Sequence, residues 1–138
     1  MADTVRKVRY GYVMVPNRAG AGAALLARLR EAGVNLVAYS GFPASGGRAQ
    51  IDLVTADLAG LRGVARRSGW RLSGAKKGFL VQGDDRVGAV HRHLQKLAAR
   101  KVNVVAADAV AAGKGRYGMI LWVRKKDYAK AARALGAR

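Results

Sequence analysis

The sequence predicts an α+β fold of two tandem ferredoxin-like units, βαββαβ in order, with antiparallel sheets and with the last strand missing from the second unit. Three observations predict this. Segments of strand period and of helix period follow in the order strand, helix, strand, strand, helix, strand, which is the split βαβ arrangement. The order then recurs about 68 residues later with matching residues. The chain of 138 residues is 51% hydrophobic, a globular composition long enough to bury a core without staples, in keeping with the absence of cysteine.

Taken in order, residues 5–15 put Val8, Tyr10, Tyr12 and Met14 on one face and Val13 and Val15 on the other, a strand that Pro16 ends because it cannot donate to a ladder. Asn17 is then placed to cap a helix over 18–32, with Leu25, Leu26 and Leu29 as its apolar stripe and Gly33 as its stop. Gly20 and Gly22 are poor helix formers, each about 1 kcal/mol worse than Ala, and suit a place where something approaches the backbone. A strand over 34–42, a turn over 43–47 and a return strand over 48–55 follow. Asp57 caps a second helix carrying Leu58, Leu61, Val64 and Ala65, Gly69 stops it, and a short strand begins at Trp70.

Residues 69–77 join the halves with no long linker, so the expected units are 1–76 and 77–138. The second half repeats the pattern. It has a strand over 78–83, a helix capped by Asp85 with Val87, Val90, Leu94 and Leu97 on one face, a strand over 102–110, a turn over 111–115 and a strand over 117–123. Asp127 caps a last helix with Tyr128, Ala131, Ala132 and Leu135 inward. No final strand follows. The sheet edge it would cover is left open, covered by the other half or paired with another chain, and an open edge makes a homo-oligomer, a dimer, the expected assembly.

Laying residues 18–40 over 86–108 gives nine identities in 23 positions, among them Arg18/Arg86, Gly20/Gly88, Leu29/Leu97 and Asn35/Asn103. The pattern of a strand, a polar-x-Arg-x-Gly turn, a helix and a Val-Asn-hydrophobic strand entry resembles the ACT domain. Asn17-Arg18-Ala19-Gly20 with Val34-Asn35-Leu36 matches it in the first half, and Asp85-Arg86-Val87-Gly88 with Val102-Asn103-Val104 in the second. The resemblance implies a non-catalytic regulatory protein that binds a small molecule, an amino acid above all, between units and acts on a partner protein. It also implies that Asn17 and Asn35, and Asp85 and Asn103 in the second copy, contact the ligand. In a serine-binding member of that family a His stands where this chain has Val15 and Gly83, and a Pro where it has Ala19 and Val87, so serine itself is not implied. The physics of the turn agrees in part, since free N–H groups at a helix start and its macrodipole suit a carboxylate. Asn17 and Asp85 are equally explained as helix caps, and Asn35 and Asn103 as residues that tie down a bend. Of the two copies, the first is the better binding candidate on sequence, because Gly22 and the neutral Asn17 leave room for a carboxylate.

The net charge of +18 raises a second reading, a basic RNA-binding protein on an RRM-like version of the same scaffold. The charge is spread, +8 on residues 1–76 and +10 on 77–138, rather than gathered in a tail. Neither half assembles the aromatic stacking platform such a protein needs. His91 and His93 lie two apart on one helix and read as surface residues, with no third ligand for a metal. No catalytic constellation, cofactor motif, membrane span or signal peptide stands out, so a cytoplasmic non-enzyme is expected.

Overall fold

A computed structural model describes residues 3–138 of the chain. Its elements are β1 (Thr4–Pro16), α1 (Ala21–Glu31), β2 (Ala38–Pro43), β3 (Arg48–Val54), α2 (Leu58–Ser68), β4 (Lys76–Asp84), α3 (Ala89–Ala99), β5 (Val104–Gly113), β6 (Arg116–Val123) and α4 (Tyr128–Leu135), with a 3-10 turn over Lys125–Asp127 before α4. This is the α+β fold of two repeated units that the sequence predicts. The compact units are Arg9–Lys76 and, in the other, residues 3–8 together with Lys77–Arg138. Residues 3–8 thus group in space with Lys77–Arg138.

In the first unit the strands lie in the order β2-β3-β1, paired antiparallel with Val13 opposite Ile51 and Gly41 opposite Ile51 across the other side of β3. Val13, Ile51 and Leu53 alternate onto one face, where Leu25 and Leu29 of α1 and Leu58, Leu61 and Val64 of α2 close a core. Each such side chain taken fully from water contributes about 1.5–3 kcal/mol. The short strand expected at Trp70 does not form a ladder. Ser73 N–H bonds the Tyr12 carbonyl at 3.0 Å, but the Tyr12 N–H is taken by the Ser73 hydroxyl at 2.9 Å in place of a second backbone bond between the two. Leu72 nevertheless packs over Gly11, where a Cβ would stand 2.8 Å from it.

In the second unit the start of β1 lies beside β4, and the order continues β4-β6-β5. Of the fates the sequence leaves for this sheet edge, cover by the other half is the one met: residues 4–8 fill it, and their Val5 joins Phe79, Val81, Leu97, Met119 and Leu121 in a second core. Arg138 bonds both Val5 and Lys7 through its backbone, at 3.0 and 2.8 Å. Phe79 is fully buried and stacks on Tyr128 with ring centroids 4.6 Å apart.

The starts of α1 and α3 differ from expectation in the same way. Neither Asn17 nor Asp85 caps a helix. The N-cap of α1 is Gly20 at φ 86°, that of α3 is Gly88 at φ 79°, and neither start has a side-chain cap. These glycines serve the left-handed backbone itself, which other residues adopt at a cost. Asp57 does cap α2, accepting from Gly60 N–H at 2.9 Å. Asp127 occupies the N-cap of α4 without a side-chain cap bond and lies instead 3.5 Å from Arg124 Nε. In α3 the fully buried residues are Ala89, His93 and Leu97, and Val90 and Leu94 of the expected stripe pack partly buried against the same core, while Val87 precedes the helix and is exposed.

The helix ends match in the two units. Gly33 at φ 71° lets the Val34 N–H reach the Leu29 carbonyl at 2.9 Å, and Lys101 at φ 58° lets Val102 do the same to Leu97 at 2.9 Å. The lysine holds a glycine's conformation. Replacing Lys101 with Gly relieves that strain against a gain in unfolded-chain entropy, and is expected to raise unfolding stability by about 0.5–1 kcal/mol in urea titration. A lower stability would contradict the backbone reading.

Candidate functional site

Each left-handed turn leaves a cavity between itself, the first turn of the following helix and the neighbouring strand. The first has a volume of about 290 Å³ and is lined by residues including Asn17, Arg18, Ala21, Gly22, Tyr39 and Phe42. The second, of about 270 Å³, is lined by residues including Asp85, Arg86, Gly88, His91, Val110 and Tyr117. The 68-residue repeat relates their walls. Asn17, Arg18, Ala21, Gly22, Gly41, Phe42, Pro43 and Ala49 of the first correspond to Asp85, Arg86, Ala89, Val90, Ala109, Val110, Ala111 and Tyr117 of the second, and all sixteen line their cavities. The backbone that holds the turns also corresponds, since Asn17 N–H bonds the Gly47 carbonyl at 2.9 Å and Asp85 N–H that of Gly115 at 2.8 Å.

Of the residues singled out on sequence, Asn17, Arg18, Asp85, Arg86 and Gly88 line these cavities. Ala19 and Gly20 are exposed on the first turn beside the wall, and Val87 projects from the second into solvent. Asn35 and Asn103 are exposed and line neither cavity. Residue 35 lies in a loop before β2 because Val34 turns back onto α1 and the first ladder bond comes later, from Val37 N–H to Val54 carbonyl at 2.8 Å. The Asn35 carbonyl, not its amide, fixes the bend by accepting from Thr55 Oγ1 at 2.7 Å. The room that Gly22 provides is used by Tyr39, whose hydroxyl would stand 2.9 Å from a Cβ at that position. In the second unit the same two positions hold Val90 and Ala107, so bulk moves from strand to helix.

The second unit carries a polar cluster that the sequence did not reveal. His93 is not a surface residue. Its side chain is 3% exposed, and that of Asp3 4%. Asp3 Oδ2 lies 2.6 Å from His93 Nε2, accepts from the Tyr117 hydroxyl at 2.6 Å, and pairs with the Arg92 guanidinium at 2.8 Å. The Tyr117 hydroxyl is also 3.1 Å from His93 Nε2. Burial alone would raise the Asp3 carboxyl, but the bonds from Tyr117, His93 and Arg92 outweigh it and hold it at about 2, against an ordinary 3.8. Burial and the neighbouring Asp3 push the Tyr117 phenol well above its usual value. Asp3 Oδ1 and His93 Nδ1 are buried with no hydrogen-bond partner. The separation of 90 residues between Asp3 and His93 is why no motif showed the cluster.

The aromatic residues weighed for base stacking lie inward in the second unit, where Phe79, Tyr117 and Trp122 are buried. Among the described residues no group of three His, Cys, Asp or Glu is arranged to hold a metal ion, and no helix is long and apolar enough to cross a membrane.

No protein-family model matches the sequence, and no curated protein is significantly similar to it. Solved structures are similar in fold. The crystal structure of protein BT0572 from Bacteroides thetaiotaomicron superposes with a TM-score of 0.76 at 14% identity, covering 97% of this chain and 88% of that one. The ligand-free regulatory subunit of aspartate kinase from Thermus thermophilus does so with a TM-score of 0.63 at 17% identity, covering 99% and 95%. The regulatory subunit from Thermus flavus gives 0.60 at 19%, covering 98% and 94%. At these identities the likeness is one of fold, the α+β arrangement of two repeated units that the sequence predicts.

The Asp3 carboxylate, with its folded value below its unfolded one, contributes stability that is present above pH 3.8 and lost as pH falls towards 2. That contribution is about 2 kcal/mol at neutral pH. Urea unfolding of the wild type and of Asp3→Asn between pH 6 and about pH 2 is expected to show the gap between them shrink across that window. A gap that stays constant with pH would show that the carboxylate's charge does not stabilise the fold.

Proposed function

We propose that the protein is a non-catalytic regulatory sensor that binds an α-amino acid at the turn-and-helix cavities, and that binding controls a partner protein. The observation that carries this reading is the repetition of one cavity. Eight positions related by the internal repeat line both copies, although the packing around them has diverged. Volumes of about 270 and 290 Å³ fall just below the roughly 300–1,000 Å³ typical of clefts for drug-sized ligands and suit a small metabolite. The regulatory role is supported by proteins of the same fold that serve as regulatory subunits of aspartate kinase.

The second cavity has the better chemistry for a zwitterion. Arg86 offers a guanidinium for the ligand carboxylate and adjacent Asp85 a carboxylate for its ammonium. The uncapped start of α3 adds a positive dipole end beside them. The first cavity keeps the Arg in Arg18 but has only the amide oxygen of Asn17 to accept an ammonium, and Tyr39 fills the space beside Gly22. The preference therefore moves from the first copy to the second. The remaining residues picked from the motif, Ala19, Gly20, Val87, Asn35 and Asn103, shape the turn and bend rather than touch the ligand.

Homo-oligomer formation fits the same reading through the edge strands. β2 and β5 each pair with one strand, and Tyr39, Phe42, Val105 and Val110 are exposed along them. RNA binding remains a second reading on one observation, the nine Lys and Arg side chains against one acid, Glu31, on the four α-helices. Its mark is affinity for single-stranded RNA that falls steeply with salt.

A thermal-shift screen of the twenty amino acids tests the sensor. One of them at about 100 times its dissociation constant is expected to stabilise the fold by about 2.7 kcal/mol. Asp85→Asn and Arg86→Ala are each expected to weaken that ligand about tenfold or more, from loss of one charge-assisted bond. A screen in which none of the twenty shifts the transition would overturn the amino-acid reading.

A further inference from the structure

The second unit departs from the first at four positions that meet at one point. Where the first unit has Val15, Ala24, Leu25 and Ala49, the second has Gly83, Arg92, His93 and Tyr117. All four touch the Asp3 carboxylate. Arg92, His93 and Tyr117 converge on Oδ2 within 2.8 Å, and Gly83 lies so close that a Cβ there would collide with the carboxylate. The glycine is a cradle, and φ at Gly83 is not left-handed, so the space and not the backbone calls for it.

Core packing alone does not account for these residues. Leu25 is buried in an apolar core in the first unit, and the second unit could have kept that solution. It instead buries two polar atoms, Asp3 Oδ1 and His93 Nδ1, without partners, which costs stability. Buried charge that costs stability relative to a packed apolar alternative points to recognition.

We propose that Gly83, Arg92, His93 and Tyr117 form a carboxylate-binding site, and that the chain's own Asp3 is its tethered ligand. The site takes a carboxylate on a short aliphatic stem, the chemistry of formate or acetate. With Asp3 seated, the residues that follow it are held beside β4. Tyr117 belongs both to the site and to the wall of the second cavity, so the seated carboxylate also fixes the orientation of that wall. Asp3 is a positioning residue for Tyr117. The site is separate from the amino-acid reading, because its evidence is a seated carboxylate and not the cavity.

The test is chemical rescue. Asp3→Ala removes the carboxylate and keeps the Cβ, leaving room for formate. Sodium formate is expected to raise the melting temperature of this variant saturably, by on the order of 5 °C, above sodium chloride at equal ionic strength. The wild type, with its site filled, shows no difference between the two salts. Adding His93→Leu and Tyr117→Ala, which install the first unit's residues, abolishes the formate effect. If Asp3→Ala is unfolded in chloride, recovery of its near-ultraviolet circular dichroism by formate counts as the same positive result. Equal behaviour in formate and chloride, or an equal formate effect on the wild type, overturns the proposal.

Discussion

The left-handed backbone at Gly20 and Gly88 is the constraint on which both candidate cavities depend. With φ at 86° and 79°, each glycine turns the chain from a strand end directly into a helix, with no side chain folded back as a cap. An L-residue there would cost about 1–2 kcal/mol and would shift the turn. Because the cap is backbone, Asn17 and Asp85 are left free of capping duty and their side chains face the cavity wall. The same geometry leaves the first-turn N–H groups of each helix without a side-chain acceptor, which favours an anion nearby.

The repeat keeps this backbone and varies what surrounds it. The hydrogen bonds from Asn17 to Gly47 and from Asp85 to Gly115 are counterparts, as are those that close the ends of α1 and α3. Side chains differ where the cores differ. The first unit packs Leu25 against an all-apolar sheet face, and the second places His93 there with Asp3 and Tyr117. Tyr39 against Gly22 in one copy becomes Ala107 and Val90 in the other. A duplicated scaffold has in this way acquired two cavities with an arginine each, one walled further by an amide and aromatics and the other by an acid and a phenol held on a buried carboxylate.

Much of the fold was legible because the apolar periods are strong and the repeat checks one half against the other. Leu58, Leu61 and Val64 at helical spacing, and Ile51 and Leu53 alternating, each found the core predicted for them. The cap assignments at Asn17 and Asp85 misled because a polar residue before a helix and a left-handed glycine three residues later are both start signals, and the glycine won. Cover by the other half was one of the fates the sequence left for the second unit's edge, but the segment that provides it was not legible, since residues 4–8 stand at the far end of the chain. The Asp3 cluster was hidden for the same reason. A single Asp near the start and a His on a helix carry no spacing relation until the sheet brings them together. His93 did carry one faint signal: it replaces Leu25 of the first copy, and a polar residue at a core position of a repeat calls for a partner.

The most direct test of the account's central claim is a backbone-amide NMR titration with the twenty amino acids. At least one is expected to cause saturable chemical-shift changes concentrated at residues 85–91, at the turn and first helical residues of the second unit, with smaller changes at 17–22. Shift changes absent from both segments for every amino acid, or scattered evenly over the basic surface, would contradict it.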